Sequence, residues 1–168
     1  MPTPFAIELV TPERVLFSGQ AEQVSLRTEE GEIAFLAHHE DFIGALDITV
    51  VSLEQPTGAT VDTERAELTA AVHGGFVHVK DDGVTILARV AELSSEIDIE
   101  RARRAFDAAS ARLSSEGPTD LESVEGLEHG GQVRPSNALL GLLVPDAPEA
   151  ALARARTRLS AVGATPNS

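Results

Sequence analysis

Apolar and polar residues alternate with a period of two from Phe5 to Ala88 and with a helical period beyond Asp98. Phe5, Ile7 and Leu9 are spaced by Ala6 and Glu8, which predicts an opening strand. Thr11-Pro12-Glu13 makes a turn, Val15-Leu16-Phe17 follows, and Ser18-Gly19 comes next. Val24 and Leu26 alternate with Ser25 and Arg27, and Thr28-Glu29-Glu30-Gly31 turns the chain into a short strand, Ile33 to Leu36. A polar loop, Ala37-His38-His39-Glu40-Asp41, leads to an apolar run from Phe42 to Leu46 and a strand from Ile48 to Leu53. Gln55-Pro56-Thr57-Gly58 reads as a turn, Leu68 to Val72 as a strand, and Gly74-Gly75 as a bend between two strands. Val77 and Val79 then alternate with Phe76, His78 and Lys80, and Val84, Ile86 and Ala88 with Thr85, Leu87 and Arg89. Asp82-Gly83 between these runs predicts a hairpin, because both central residues of the favoured turn need positive φ. Short strands with turn signals between them predict an antiparallel sandwich or barrel. There is no strand–helix alternation, which argues against a parallel nucleotide-binding sheet.

The period changes after Arg89. Asp98 can cap a helix in which Ala102, Ala105, Phe106, Ala109 and Leu113 fall on one side. That helix is expected from Ile99 to Leu113, with Gly117-Pro118 closing it. Residues 114–137, rich in Gly, Glu and Ser, read as a flexible linker. Leu139 to Val144 is a short apolar segment stopped by Pro145. Asp146 can cap a last helix with Pro148 in its first turn and Gly163 beyond its end. Leu152, Ala155, Leu159 and Val162 lie on one side of it, and Arg154, Arg156 and Arg158 crowd the rest. The expected organisation is a β domain over residues 1–93 and a helical tail over 94–168.

Composition narrows the function. A chain of 168 residues, 42% hydrophobic, allows one domain, or one domain with an appendage, its core built from Val, Leu, Ile and Ala because aromatics are 4% and Trp and Tyr are absent. A net charge of −14 argues against a nucleic-acid binder, which needs a basic stripe to displace counterions, and against docking on an anionic lipid surface. The charge is uneven: residues 1–96 hold 17 acids and 5 bases, residues 97–168 hold 10 acids and 8 bases, all arginine. No apolar run reaches the roughly 18–20 residues of a membrane span. Met1-Pro2-Thr3-Pro4-Phe5 lacks the order of a secretory signal, so none is expected. Zero cysteines rule out disulfides and thiolate metal sites and fit a cytosolic setting.

The ordered series Leu9-Val10-Thr11-Pro12-Glu13-Arg14-Val15-Leu16-Phe17-Ser18-Gly19, Glu30-Gly31-Glu32-Ile33, the His39 loop, Gly74-Gly75-Phe76-Val77-His78-Val79, Val84-Thr85-Ile86-Leu87-Ala88, Ala91-Glu92 and Ile97-Asp98 through Arg101-Ala102 resembles the epsilon subunit of bacterial F-type ATP synthases. The match runs through the first two-thirds of the chain. The resemblance implies a mainly β protein with an α-helical tail: an antiparallel β-sandwich of ten strands, followed by a helix-loop-helix C-terminal region. It implies a non-catalytic rotor subunit of the central stalk, linking the gamma subunit to the c-ring in proton-driven ATP synthesis. Membrane association would come only through the complex, peripherally, at the cytoplasmic face of the bacterial cell membrane. It implies a tail that folds on the sandwich or extends along gamma to restrain ATP hydrolysis. Two departures stand out. The family's Pro-Gly-His-Ala-Pro loop is here Ala37-His38-His39-Glu40-Asp41, and about 35 residues separate the two tail helices where the family has a short loop.

The resemblance also assigns roles. Ile97-Asp98-Ile99-Glu100-Arg101-Ala102 matches the segment with which some members bind ATP as a regulatory ligand, with Glu92 joining it. Asp98 would accept from the adenine amino group and Arg101 would meet phosphate. The family's next arginine matches Ala108, and Arg112, one turn on, could substitute. The plainer reading is that Asp98 caps the helix and Arg101 pairs with an acid. Glu32 and His39 match positions that face gamma and the c-ring, against the plainer reading of two solvated loop residues. Arg154 and Arg158 share a helix face and would contact the alpha and beta subunits of the catalytic head, against that of an exposed, solvated helix.

Other chemistries find little support. Adjacent His38 and His39 point apart on an extended chain, and His73 and His78 flank Gly74-Gly75 without a carboxylate at fixed spacing, so no metal site is expected. No Gly-x-Ser-x-Gly elbow or cysteine nucleophile is present, and no lysine follows Gly74-Gly75 at phosphate-loop spacing. The alternative to a rotor subunit is a free-standing β-sandwich that binds a small ligand or metal.

Overall fold

The structure is a computed structural model that describes residues 3–58, 66–116 and 148–164. Nine strands lie among these residues, against the ten that the resemblance implies: β1 Phe5–Val10, β2 Val15–Ala21, β3 Gln23–Thr28, β4 Gly31–Phe35, β5 Phe42–Glu54, β6 Thr57–Gly58, β7 Glu67–Lys80, β8 Gly83–Ala88 and β9 Ala91–Leu93. A single 3-10 turn, Ser94–Glu96, leads to helix α1, Ile99–Glu116, and the chain is described again at helix α2, Pro148–Ala161. The strands hydrogen-bond in the order β4-β3-β5-β7-β8-β1-β2-β6, with β9 added on β7, and the sheet does not close. Every pairing is antiparallel except β1 with β8, which is parallel, a departure from the wholly antiparallel expectation. No short turn joins these two strands, so no hairpin dictates their direction.

The inward phase of each strand builds the main core, which includes Ile7, Leu9, Phe17, Val24, Phe35, Val51, Val72, Val77 and Ile86. The turn between β7 and β8 shows how this phase overrides local preference. Lys80 pairs with Gly83, so the two loop residues are Asp81 and Asp82, at φ 51° and 59°, rather than Asp82-Gly83. Pairing Val79 with Val84 and Val77 with Ile86 puts all four in the core; a one-residue slip would turn one strand inside out. A similar correction applies to Thr57-Gly58, which leaves the turn and pairs with Gly19 and Gln20 at the edge of β2. A Cβ on Gly19 would sit 2.1 Å from the Thr57 carbonyl oxygen, so only glycine admits this strand.

The segments Phe42–Leu46 and Ile48–Leu53 form one strand, as do Leu68–Val72 and Phe76–Lys80, and β5 and β7 pair along their whole length. Gly74-Gly75 is therefore a bend inside β7, not a break between strands. Its φ values of 75° and 136° shift the side-chain phase: Leu68, Ala70 and Val72 point into the core before it, Val77 and Val79 after it. Leu46 of β5 likewise points inward, yet so do Val51 and Leu53. The partner of β7 on its other edge changes at the same place, from β9 to β8. The long β5–β7 ladder is thus shared by both layers, and its two halves turn opposite faces outward.

The tail covers one of these faces. Thr69, Ala71 and His73 of β7 point away from the main core, and Ala71 joins a second cluster with Ile97, Ala102, Leu159 and Ala161, backed by Val50, Phe106 and Val162. Asp98 caps α1 by accepting from the Arg101 amide at 2.9 Å. Gly163, at φ 69°, ends α2: its amide reaches the Ser160 carbonyl and the Ala164 amide the Leu159 carbonyl, which satisfies the last carbonyls of the helix. The Thr69 hydroxyl donates to the Ala161 carbonyl at 2.8 Å. Asp146, most of the linker and the Leu139–Val144 segment lie outside the described residues.

Candidate functional site

Three of the four residues expected to meet ATP come together where β9, α1 and α2 converge. Glu92, Asp98 and Arg101 line a cavity of about 150 Å³, with Glu96, Ala102 and Arg158. Arg158 reaches across from α2 and donates from Nε and Nη2 to Glu92 Oε1, at 3.0 and 2.6 Å. The Arg158 hydrogen bond holds the Glu92 carboxyl below its ordinary range, and burial opposes it. Arg112 stands elsewhere: eleven residues beyond Arg101, it is roughly 16 Å further along α1. The cavity is smaller than the roughly 300–1,000 Å³ of small-molecule sites.

Arg158, expected against a catalytic head, is here engaged by the sandwich. Arg154 is half-buried on the same side, and Arg156 is exposed. Arg156 lines an open groove of about 790 Å³ between α2 and the outer side of β3, β4 and β5, with Arg27, Glu32 and Asp47. Glu32 is exposed and pairs across strands with Arg27. His39 lies beyond the other end of β4, so the structure does not bring these two together. The His39 ring packs edge-on to Phe35 at 4.9 Å, and its Nδ1 donates to the Glu40 carbonyl at 2.8 Å. The altered loop is pinned by its neighbour. The His38 amide donates to Asp82 Oδ1 at 2.7 Å, and its ring Nδ1 lies 3.0 Å from Oδ2.

The reading from sequence missed a surface. On the outward face of the β5-β7-β8-β1-β2 run, Ile43, Phe76, Leu87 and Val15 are 73%, 56%, 51% and 52% exposed. Phe76 pairs with Leu87, Leu87 with Val10, and Val10 with Val15, which makes a continuous apolar stripe across strands. The signal was present: Phe76 and Leu87 are large apolar residues in the polar phase of their strands. Among the described residues no group of three or more His, Cys, Asp or Glu is arranged to hold a metal ion, and no helix is long and apolar enough to cross a membrane.

The described residues thus form an open sandwich with one outer face covered by its own tail and the other bearing an apolar stripe. Residues 4–94 match the family described as ATP synthase, Delta/Epsilon chain, beta-sandwich domain. The chain belongs to that ATP synthase family, as an epsilon-type chain. It is 43% identical over 113 residues to an ATP synthase epsilon chain of Halalkalibacterium halodurans, a match covering 67% of this chain and 78% of the relative. It is 41% identical over 103 residues to that of Streptomyces griseus, covering 61% and 77%. Its fold is similar to a chain in the Euglena gracilis mitochondrial ATP synthase, a structure of OSCP, F1 and c-ring, at 26% identity and TM-score 0.54 over 71% of each chain.

Proposed function

We propose that this chain is a rotor subunit that joins gamma to the c-ring, supplies no catalytic residue, and sits peripherally at the cytoplasmic face of the membrane through its complex. The apolar stripe carries this reading. Four large side chains exposed on one sheet face are an expensive surface for a free monomer and a suitable centre for a protein interface. Gamma is the partner assigned to the stripe. Glu32 and His39, toward opposite ends of β4, are assigned to contacts with gamma and the c-ring, helped by the acidity of the β domain, which attracts basic loops over distance. When α2 leaves the sandwich, Arg154 and Arg158 become available to acidic segments of alpha and beta, and hydrolysis is restrained.

The test is ATP hydrolysis by the cognate alpha, beta and gamma assembly, alone and with this chain. Wild type should bind gamma and slow hydrolysis. A Phe76→Glu, Leu87→Glu double variant, still folded by circular dichroism, should lose gamma binding by at least tenfold. Undiminished binding by that variant would remove the stripe from the interface, and no binding by wild type would sink the rotor reading.

ATP as a regulatory ligand is a second proposal, supported by the convergence of Glu92, Asp98 and Arg101 and by Arg158 in place of Arg112. ATP would compete with the Glu92–Arg158 pair. Titration by calorimetry should show weak binding that Arg101→Ala abolishes and Arg112→Ala leaves unchanged; equal affinity in wild type and Arg101→Ala would end this proposal.

A further inference from the structure

Among the described residues, His73 is the buried ionisable side chain that neither the stripe nor the cavity at Glu92 uses. It sits on β7 beside the Gly74-Gly75 bend, paired with Ile48 of β5, and its amide donates to the Val90 carbonyl at 2.9 Å. Its side chain points away from the main core, on the face that α2 covers. It is 7% exposed, and Nε2 is buried with no hydrogen-bond partner among the described residues.

We propose that docking of α2 on the sandwich is linked to protons through His73, so that mild acid releases the tail. The proposal rests on the reading that the tail has two positions, and it adds the signal that chooses between them. Three charges act on the ring: Arg158 and Arg154 of α2 oppose its protonation, and Glu92 of β9 favours it. From β5, Asp47 accepts from the Ile48 amide at 2.7 Å and lies 3.9 Å from Arg27. From α1, Arg101 acts on Glu92 across the cavity. A proton on His73 would therefore be buried, without an acceptor, beside two guanidinium groups. Release of α2 removes burial and both arginines together and leaves Glu92 facing the ring, so the released state takes up the proton.

The sign follows. With α2 docked, burial first and Arg158 next push the His73 pKa down from 6.5 to about 3. Docking is then complete above the ordinary histidine pKa and weakens as pH falls from there toward the docked value. The loss is roughly tenfold at pH 5.5 relative to pH 8. The Glu92 carboxyl, held below its ordinary range by Arg158, stays charged through this interval.

Hydrogen exchange of α2 amides in the full chain, corrected for intrinsic rates, tests this. Wild-type protection in α2 should fall about tenfold from pH 8 to 5.5 while β5 and β7 amides hold, and His73→Leu should show no fall. An equal fall in His73→Leu overturns the proposal, as does opening of α2 that ignores pH. If His73→Leu fails to fold, NMR of the wild-type ring decides: protonation should coincide with loss of α2 protection. A ring that titrates near its ordinary value with α2 still protected overturns the link. If α2 opens only together with the core strands, the two-position tail itself fails, and proton linkage fails with it.

Discussion

The Glu92–Arg158 pair is one of the contacts that hold the tail, and neither residue shows that alone. Their side chains are 32% and 23% exposed, so the pair is screened but not fully solvated. Arg158→Ala should weaken α2 docking by about 1 kcal/mol, read as faster exchange of α2 amides, with Arg158→Lys in between. The folded pKa of Glu92 is depressed, so this contribution is present above the ordinary carboxylate pKa and is lost as pH falls through the depressed value. Acid effects of this pair therefore fall in the carboxylate range and below, apart from those of His73. Asp98 was legible as a cap because capping is local, three residues from donor to acceptor. The Glu92–Arg158 pair was not, because 66 residues separate its members and only docking brings them together. Gly75 makes the sharpest single-residue prediction. A Cβ there would sit 2.1 Å from the Leu87 carbonyl oxygen, on a backbone at φ 136°. Gly75→Ala should cost about 3 kcal/mol, seen as a lowered urea midpoint.

At the scale of elements, periodicity located nearly every strand and both tail helices but misjudged their extents. Asp47 inside β5 and Gly74-Gly75 inside β7 read as interruptions, because a side-chain phase that shifts within one strand looks like two strands. The parallel partnership of β1 and β8 carried no local mark at all. In α2 the apolar stripe was only partly informative. Ala155 and Leu159 are buried as expected, yet Ala150, Thr157 and Ala161 are buried too, because the helix packs against both α1 and the sheet. Its end, by contrast, was clear from Gly163. A Cβ there meets nothing within 4 Å, so Gly163→Ala is strained by backbone conformation alone. It should loosen the last turn of α2 by about 1 kcal/mol, measured by exchange at Val162 and Ala164, and leave the melting of the sandwich unchanged.

The whole molecule has two outer faces with different fates, one under the tail and one open. Every residue of the main core lies between Phe5 and Ala91, and the tail adds none. A version ending at Glu96 should therefore keep its sheet spectrum and one cooperative transition, with a melting temperature lower by a few degrees. Loss of the sheet on truncation would show that the second cluster is part of the folding unit. The division into faces could not be read from the sequence, since it depends on where the β5–β7 ladder changes phase. The stripe could have been, by asking of each strand which large apolar residues occupy its polar phase.

The parallel ladder between β1 and β8 also governs when this protein can come into being. Ala6 waits for Gly83, and Val10 for Leu87, so the first strand synthesised finds that neighbour only when most of the domain has left the ribosome. Closing so long a loop is entropically costly, and topologies rich in such distant pairings fold in milliseconds to seconds. Until then β1 has β2 alone, a hairpin too small to persist in water. The floor on which α2 lands, Ala71 and His73 beside Glu92, is laid at the end of that wait. Both helices follow β9 in the chain, so the tail is the last part to leave the ribosome and the last that can settle.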